Sequence, residues 1–167
     1  MKTITYDDFV EFEPCWLENE RTTEKHAEQL ERYREMRDEW TALDILRLDE
    51  VDPEDRLWLV LREELIDASI LHEFACRCAE MTLSRADKPD ERSIATIEAK
   101  RKWPRGEISD QELRAARDAA RYSARYAARY AAWDDERCAI MEETREQARN
   151  AERQRQIAEL MRMLEEA

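Results

Sequence analysis

A single glycine, Gly106, in 167 residues is the feature that most narrows what this chain can become. Hairpin turns, phosphate-cradling loops and bulges need backbone conformations that glycine supplies at little cost, and one glycine with four prolines leaves almost no material for them. The remainder is dominated by Ala, Glu, Arg and Leu, all strong helix formers. The expected fold is all-α: a compact multi-helix bundle with a long Ala/Arg-rich C-terminal helix. With 43% hydrophobic and 41% charged residues the chain is too apolar for disorder, and 167 residues suit one domain. Within that single domain, 1–56 form an acidic N-terminal part, 57–108 the core helices and 109–167 a long helical region.

Start and stop signals divide the helices. Thr5-x-x-Asp8 resembles a capping box opening a short helix through Val10, and Glu13-Pro14-Cys15-Trp16 turns the chain, with Trp16 offered as an anchor. A second helix is expected from about Thr23 to Trp40. Thr41 with Asp44 caps a brief apolar piece carrying Leu43, Ile45, Leu46 and Leu48. Asp52-Pro53-Glu54-Asp55 combines an N-cap acid, proline at the first helical position and acids that complement the helix dipole. That helix continues through Leu57, Trp58, Val60, Leu61 and Leu65, and Asp67 caps the next. There Ile70, Leu71, Phe74, Ala75, Cys78 and Met81 make a buried stripe, so these two helices are expected to form the centre of the core. Pro89-Asp90 begins a helix burying Ile94 and Ile97, which ends at Trp103-Pro104-Arg105-Gly106. Ser109 with Glu112, and Ile108 with Leu113, then supply a capping box and a staple for the long helix.

From Asp110 onward there is neither glycine nor proline, and uninterrupted helix would reach roughly 85 Å. Either it breaks, near Asp134-Asp135 or Arg149-Asn150, or it projects. Its last stripe, Ile157, Leu160, Met161 and Leu164, either docks back or pairs with another subunit.

The formal charge of −13 is gathered at the front: residues 1–56 carry 18 acids and eight bases, against 10 and nine over 57–108 and 13 and 11 over 109–167. Glu24, Glu28, Glu31, Glu35 and Asp38 recur at spacings of 4, 3, 4 and 3, which places their carboxylates along one helical face. One reading is a solvated face partly neutralised by Lys25, Arg32, Arg34 and Arg37. The other is a surface built to occupy a basic groove, carboxylates standing in for phosphates. A field of this sign repels nucleic acid and draws in cationic proteins.

The near-tetrapeptide repeat from Ala120 to Trp133 sets Ala120, Ala124, Ala127 and Ala131 in a small-residue seam beside Tyr122, Tyr126, Tyr130 and Trp133. Arg117, Arg121, Arg125 and Arg129 fill the remaining sector. Arginine interleaved with tyrosine is a composition used on single-stranded nucleic acid. The packing alternative has the arginines pairing with the acidic N-terminal helices.

Catalytic and metal chemistry find little support. His26 and His72 are the only histidines, and His72 with Cys76 is the one helical pair at ligand spacing, two short of a zinc site and better read as a core histidine and a core thiol. There is no Gly-x-Ser-x-Gly turn, phosphate loop or Cys-x-x-Cys pair. The expectation is no enzyme, no cofactor and no metal. The four cysteines, Cys15, Cys76, Cys78 and Cys138, are expected reduced and buried in a cytoplasmic protein. No apolar run approaches the roughly 20 residues that span a bilayer.

The segments Trp40–Leu46, Pro53–Glu64 and Leu71–Glu80, with the Ala-rich repeat after Asp110, resemble a diffuse family of all-helical bacterial and phage proteins described as immunity proteins of toxin systems. The likeness spans roughly residues 40–133 and rests on core and cap positions. It implies a helical scaffold and a neutralising role, and transfers no functional residue. Family members carry Ala-Ala-Ala-Trp repeats where this chain has Arg-Tyr-Ala-Ala. In kind rather than in motif, the chain also resembles small acidic anti-CRISPR inhibitors. The expected function is therefore non-catalytic inhibition of a nucleic-acid-handling effector or toxin. Glu24, Glu28, Glu31, Glu35 and Asp38 are the expected partner-binding residues. The alternatives are a structural or assembly protein self-associating through its C-terminal helix, or a nucleic-acid binder using the Arg/Tyr face.

Overall fold

The computed structural model describes residues 2–12, 24–85, 89–131 and 142–167. Among them are eight α-helices, one short 3-10 turn and a single two-stranded sheet, so the fold is all-α apart from one small ribbon. Among the described residues no helix is long and apolar enough to cross a membrane. Contacts gather the chain into two compact units, Met1–Ala68 and Ser69–Ala167.

The first unit is organised by the ribbon. Strand β1 (Thr3–Thr5) pairs antiparallel with β2 (Glu39–Thr41), setting Ile4 opposite Trp40. Each strand runs directly into a capping box. Thr5 accepts from the Asp8 backbone and Asp8 returns the bond at 2.7 Å, opening α1 (Tyr6–Glu11); Thr41 and Asp44 do the same for α3 (Ala42–Leu46). The expected helix to Trp40 is corrected here: α2 (Glu24–Met36) stops four residues earlier. An N-cap needs extended backbone, which Thr41 has, and Trp40 is buried by pointing inward from a strand. The local helical pattern of 24–36 gives way to that tertiary demand.

Helix α4 (Pro53–Val60) starts where the Asp52-Pro53 signal places it, with the Asp52 carboxylate accepting from Glu54 at 2.8 Å. Ile4, Phe9, Trp40, Ala42, Leu43, Ile45, Leu46, Leu57, Val60, Leu65 and Ile66 are buried in this unit. So is one cation: Arg56 is 1% exposed, and its Nη1 donates to the Leu46 carbonyl at the end of α3 and to Asp49. Trp58 and Leu61, expected inside, are exposed. On a one-sided helix Leu57 and Val60 already fill the inward arc.

In the second unit, α5 (Ala68–Leu83) buries Phe74 and Cys76, while Ala75 of the expected stripe is exposed. The anticipated centre of the core is therefore divided, α4 contributing to one unit and α5 to the other. Helix α6 (Glu91–Lys102) buries Ile97; Ile94 is 41% exposed, contrary to expectation. After the 3-10 turn Trp103–Arg105, Gly106 takes φ 70°, the left-handed conformation that favours glycine. Ser109 and Glu112 form their capping box at the head of α7 (Asp110–Ala131), which packs along α6. Helix α8 (Glu142–Glu166) runs through Arg149-Asn150 without a break; the Asp134-Asp135 alternative lies outside the described residues. Its stripe docks back: Ile157, Leu160, Met163 and Leu164 are buried, with Met163 in the place expected of Met161.

A continuous chain of ion pairs ties three helices of this unit together. From Glu80 it passes to Arg101, Glu73, Arg77, Glu159, Arg162 and Glu166, with closest approaches between 2.5 and 3.1 Å. Arg85 and Glu152 add a second α5–α8 clamp at 2.5 Å.

Candidate functional site

The division into units sharpens the charge asymmetry. Met1–Ala68 holds 21 acidic and nine basic side chains, net −12, and Ser69–Ala167 holds 20 and 19, net −1. Nearly all the excess negative charge thus belongs to the first of the two units.

Within it, α2 carries Glu24, Glu28, Glu31 and Glu35 on one face, while Asp38 lies beyond the helix end, so only four of the five expected residues share the helix. The Glu24 side chain is outside the described residues; Glu28, Glu31, Glu35 and Asp38 are exposed. What decides whether they are paired is where the neighbouring cations go. Arg32 reaches across to Glu50 at 2.9 Å, and the Tyr33 hydroxyl donates to the same carboxylate at 3.0 Å. Glu50 is held below the usual carboxylate range by its own backbone N–H first, then by Tyr33, with Arg32 adding to them. Arg37 turns to Asp44 at 2.5 Å and stacks on Trp40, 4.7 Å from the ring centroid. Burial alone raises the Asp44 pKa, but hydrogen bonds from Thr41 and Arg37 outweigh it and lower it. Arg34 lies over Tyr6 and touches the row only loosely, 3.7 Å from Glu31. Of the cations expected to neutralise the row in part, Arg32 and Arg37 pair elsewhere, Arg34 reaches only Glu31, and the Lys25 side chain lies outside the described residues; no described ion pair engages Glu28, Glu35 or Asp38.

A second cluster on this unit was not visible in the sequence. The Arg62 guanidinium lies between the Phe12 and Trp58 rings, 4.1 and 4.5 Å from their centroids, and its Nη2 donates to the Trp58 carbonyl at 3.2 Å. Only the Trp58/Arg62 half of it, at i,i+4 spacing, had a local signal.

His72 and Cys76, the helical pair at ligand spacing, both lie on α5 of the second unit. Cys76 is buried with its thiol 4.0 Å from the Ile97 carbonyl, and burial pushes its pKa up. Cys78, half-buried, is pushed up to about 11 by burial. Protonated thiols are poor nucleophiles and poor ligands. His72 is half-buried against Trp103, ring centroids 5.6 Å apart. Among the described residues no three His, Cys, Asp or Glu side chains are grouped to hold a metal ion. Cys15, Cys138 and Trp16, and the side chains of Arg121, Arg125 and Arg129, lie outside the described residues.

Fold and surface together define an all-α protein whose acidity is concentrated in one unit with an exposed carboxylate row. No family model matches the chain, and no curated protein or solved structure matches it significantly.

Proposed function

We propose that this chain is a non-catalytic inhibitor that neutralises a nucleic-acid-handling protein by covering a basic surface, in the manner of toxin-immunity or anti-CRISPR proteins. The observation that carries the reading is the diversion of Arg32 and Arg37 to Glu50 and Asp44, which leaves Glu28, Glu35 and Asp38 exposed and without a described cation. Solvated carboxylates at helical spacing on a unit of net charge −12 attract a cationic cleft and repel nucleic acid. Burial of Ile157, Leu160, Met163 and Leu164 within the chain favours this reading over self-association through the C-terminal helix.

The test compares the full chain with the triple variant Glu28→Lys, Glu35→Lys, Asp38→Lys as baits in an extract of the native host. A nucleic-acid-binding protein retained by the wild type, released by raised salt and lost by the variant supports the reading, provided the purified pair blocks that protein's nucleic-acid binding. Identical retention by the folded triple variant refutes it.

A further inference from the structure

Carboxylates steer association, but tight and selective binding usually rests on a few large side chains in a desolvated centre, tryptophan and arginine prominent among them. The acidic unit exposes such a group. Trp58 is 38% exposed, and Leu61, the C-cap that ends α4 just before Arg62, is 41% exposed. Arg62 has three contacts there: its guanidinium lies over the Phe12 and Trp58 rings and its Nη2 donates to the Trp58 carbonyl, while Nε has no hydrogen-bond partner. A cation–π sandwich of this kind fixes the Trp58 ring before any partner arrives, so little rotamer freedom remains to be lost on binding. Glu11, Glu54, Glu63 and Glu64, neighbours in sequence of these residues, are exposed.

We propose, resting on the inhibitor reading, that Trp58, Leu61 and the Phe12–Arg62 stack form the apolar anchor of the interface. Its occupant is a protein surface in which an apolar pocket is ringed by lysine or arginine. The charge of the unit selects this partner. An acidic or nucleic-acid ligand would meet net −12, whereas a cationic rim finds carboxylates on the same elements that present the tryptophan.

The test uses the full chain and two labelled helical peptides of about 18 residues and equal positive charge, one with a leucine face among lysines, the other with glutamine replacing leucine. Fluorescence anisotropy should show the leucine peptide binding about tenfold more tightly. Trp58→Ser and Leu61→Ser should each abolish that preference, and Trp58→Phe, which keeps a ring over Arg62, should retain it. If Trp58→Ser unfolds, as circular dichroism would reveal, the exposed Leu61→Ser decides. Equal binding of both peptides, or a preference surviving in the folded serine variants, overturns the anchor. So does tighter binding of a single-stranded oligonucleotide than of either peptide. The triple lysine variant separates this from the broader reading: it should weaken both peptides alike and leave their ratio unchanged. A ratio that persists with no weakening sinks the carboxylate row and leaves the anchor standing.

Discussion

Glu73→Gln is the substitution that probes the second unit most directly, because Glu73 is the junction of its ion-pair chain. One carboxylate receives Arg77 Nε at 3.1 Å and Arg101 through Nε at 3.0 Å and Nη2 at 2.9 Å. Glutamine keeps the shape and one carbonyl acceptor, but turns an amide N–H₂ toward a guanidinium and removes the charge. A sheltered charge-assisted hydrogen bond contributes about 1.5–3 kcal/mol and a surface ion pair about 0–1. Glu73 is 35% exposed, so solvent screens part of the gain, and about 2 kcal/mol for the two partners together is the expected loss. For a chain of this size that lowers Tm by about 4–8 °C.

The loss should also depend on pH. Hydrogen bonds from Arg101, against the opposing effect of burial and with help from Arg77, hold Glu73 below the usual carboxylate range. A depressed folded-state pKa means a contribution fully present above the unfolded value and lost as pH falls through the folded one. Urea unfolding followed by circular dichroism should therefore give a gap of about 2 kcal/mol between wild type and variant at neutral pH, narrowing steadily below about pH 4.5 as the carboxylate protonates. A gap under about 0.5 kcal/mol at neutral pH, or one indifferent to pH, would refute the account of this network.

Three further substitutions test other joints of the fold. Arg56→Ala, which strips the donor from the Leu46 carbonyl and opens a cavity, should cost about 3 kcal/mol in the same assay. Arg56→Met fills the space and removes two buried N–H groups that lack partners, Nε and Nη2, so it should cost clearly less; equal losses would show that the cation itself matters. Gly106→Ala should destabilise by about 1 kcal/mol through φ alone, since an added Cβ meets nothing within 4 Å; no change in Tm would contradict the left-handed turn. Thr41→Ala should cost about 1 kcal/mol by removing the cap of α3, and unaltered thermal unfolding would argue against that box.

What was legible in advance is what depends on neighbours in sequence. The capping boxes at Thr5, Thr41 and Ser109 join residues three apart, the Asp52-Pro53 start uses adjacent ones, and the lone glycine sits where a left-handed residue is needed. Helical content and the position of the negative charge follow from composition and order alone. The end of α2 was misplaced because it is set by Ile4, 36 residues upstream of Trp40. The ion pairs joining Arg101 to Glu73 and Arg77 to Glu159 span 28 and 82 residues, distances over which no sequence pattern selects one carboxylate among many. So it is with the candidate site. The acidic row could be read from its spacing, since helical periodicity places those residues together. Whether Arg32 and Arg37 would pair with the row could not be read there, and only the packed unit, by offering Glu50, Asp44 and the Trp40 ring as partners, drew those cations away from it.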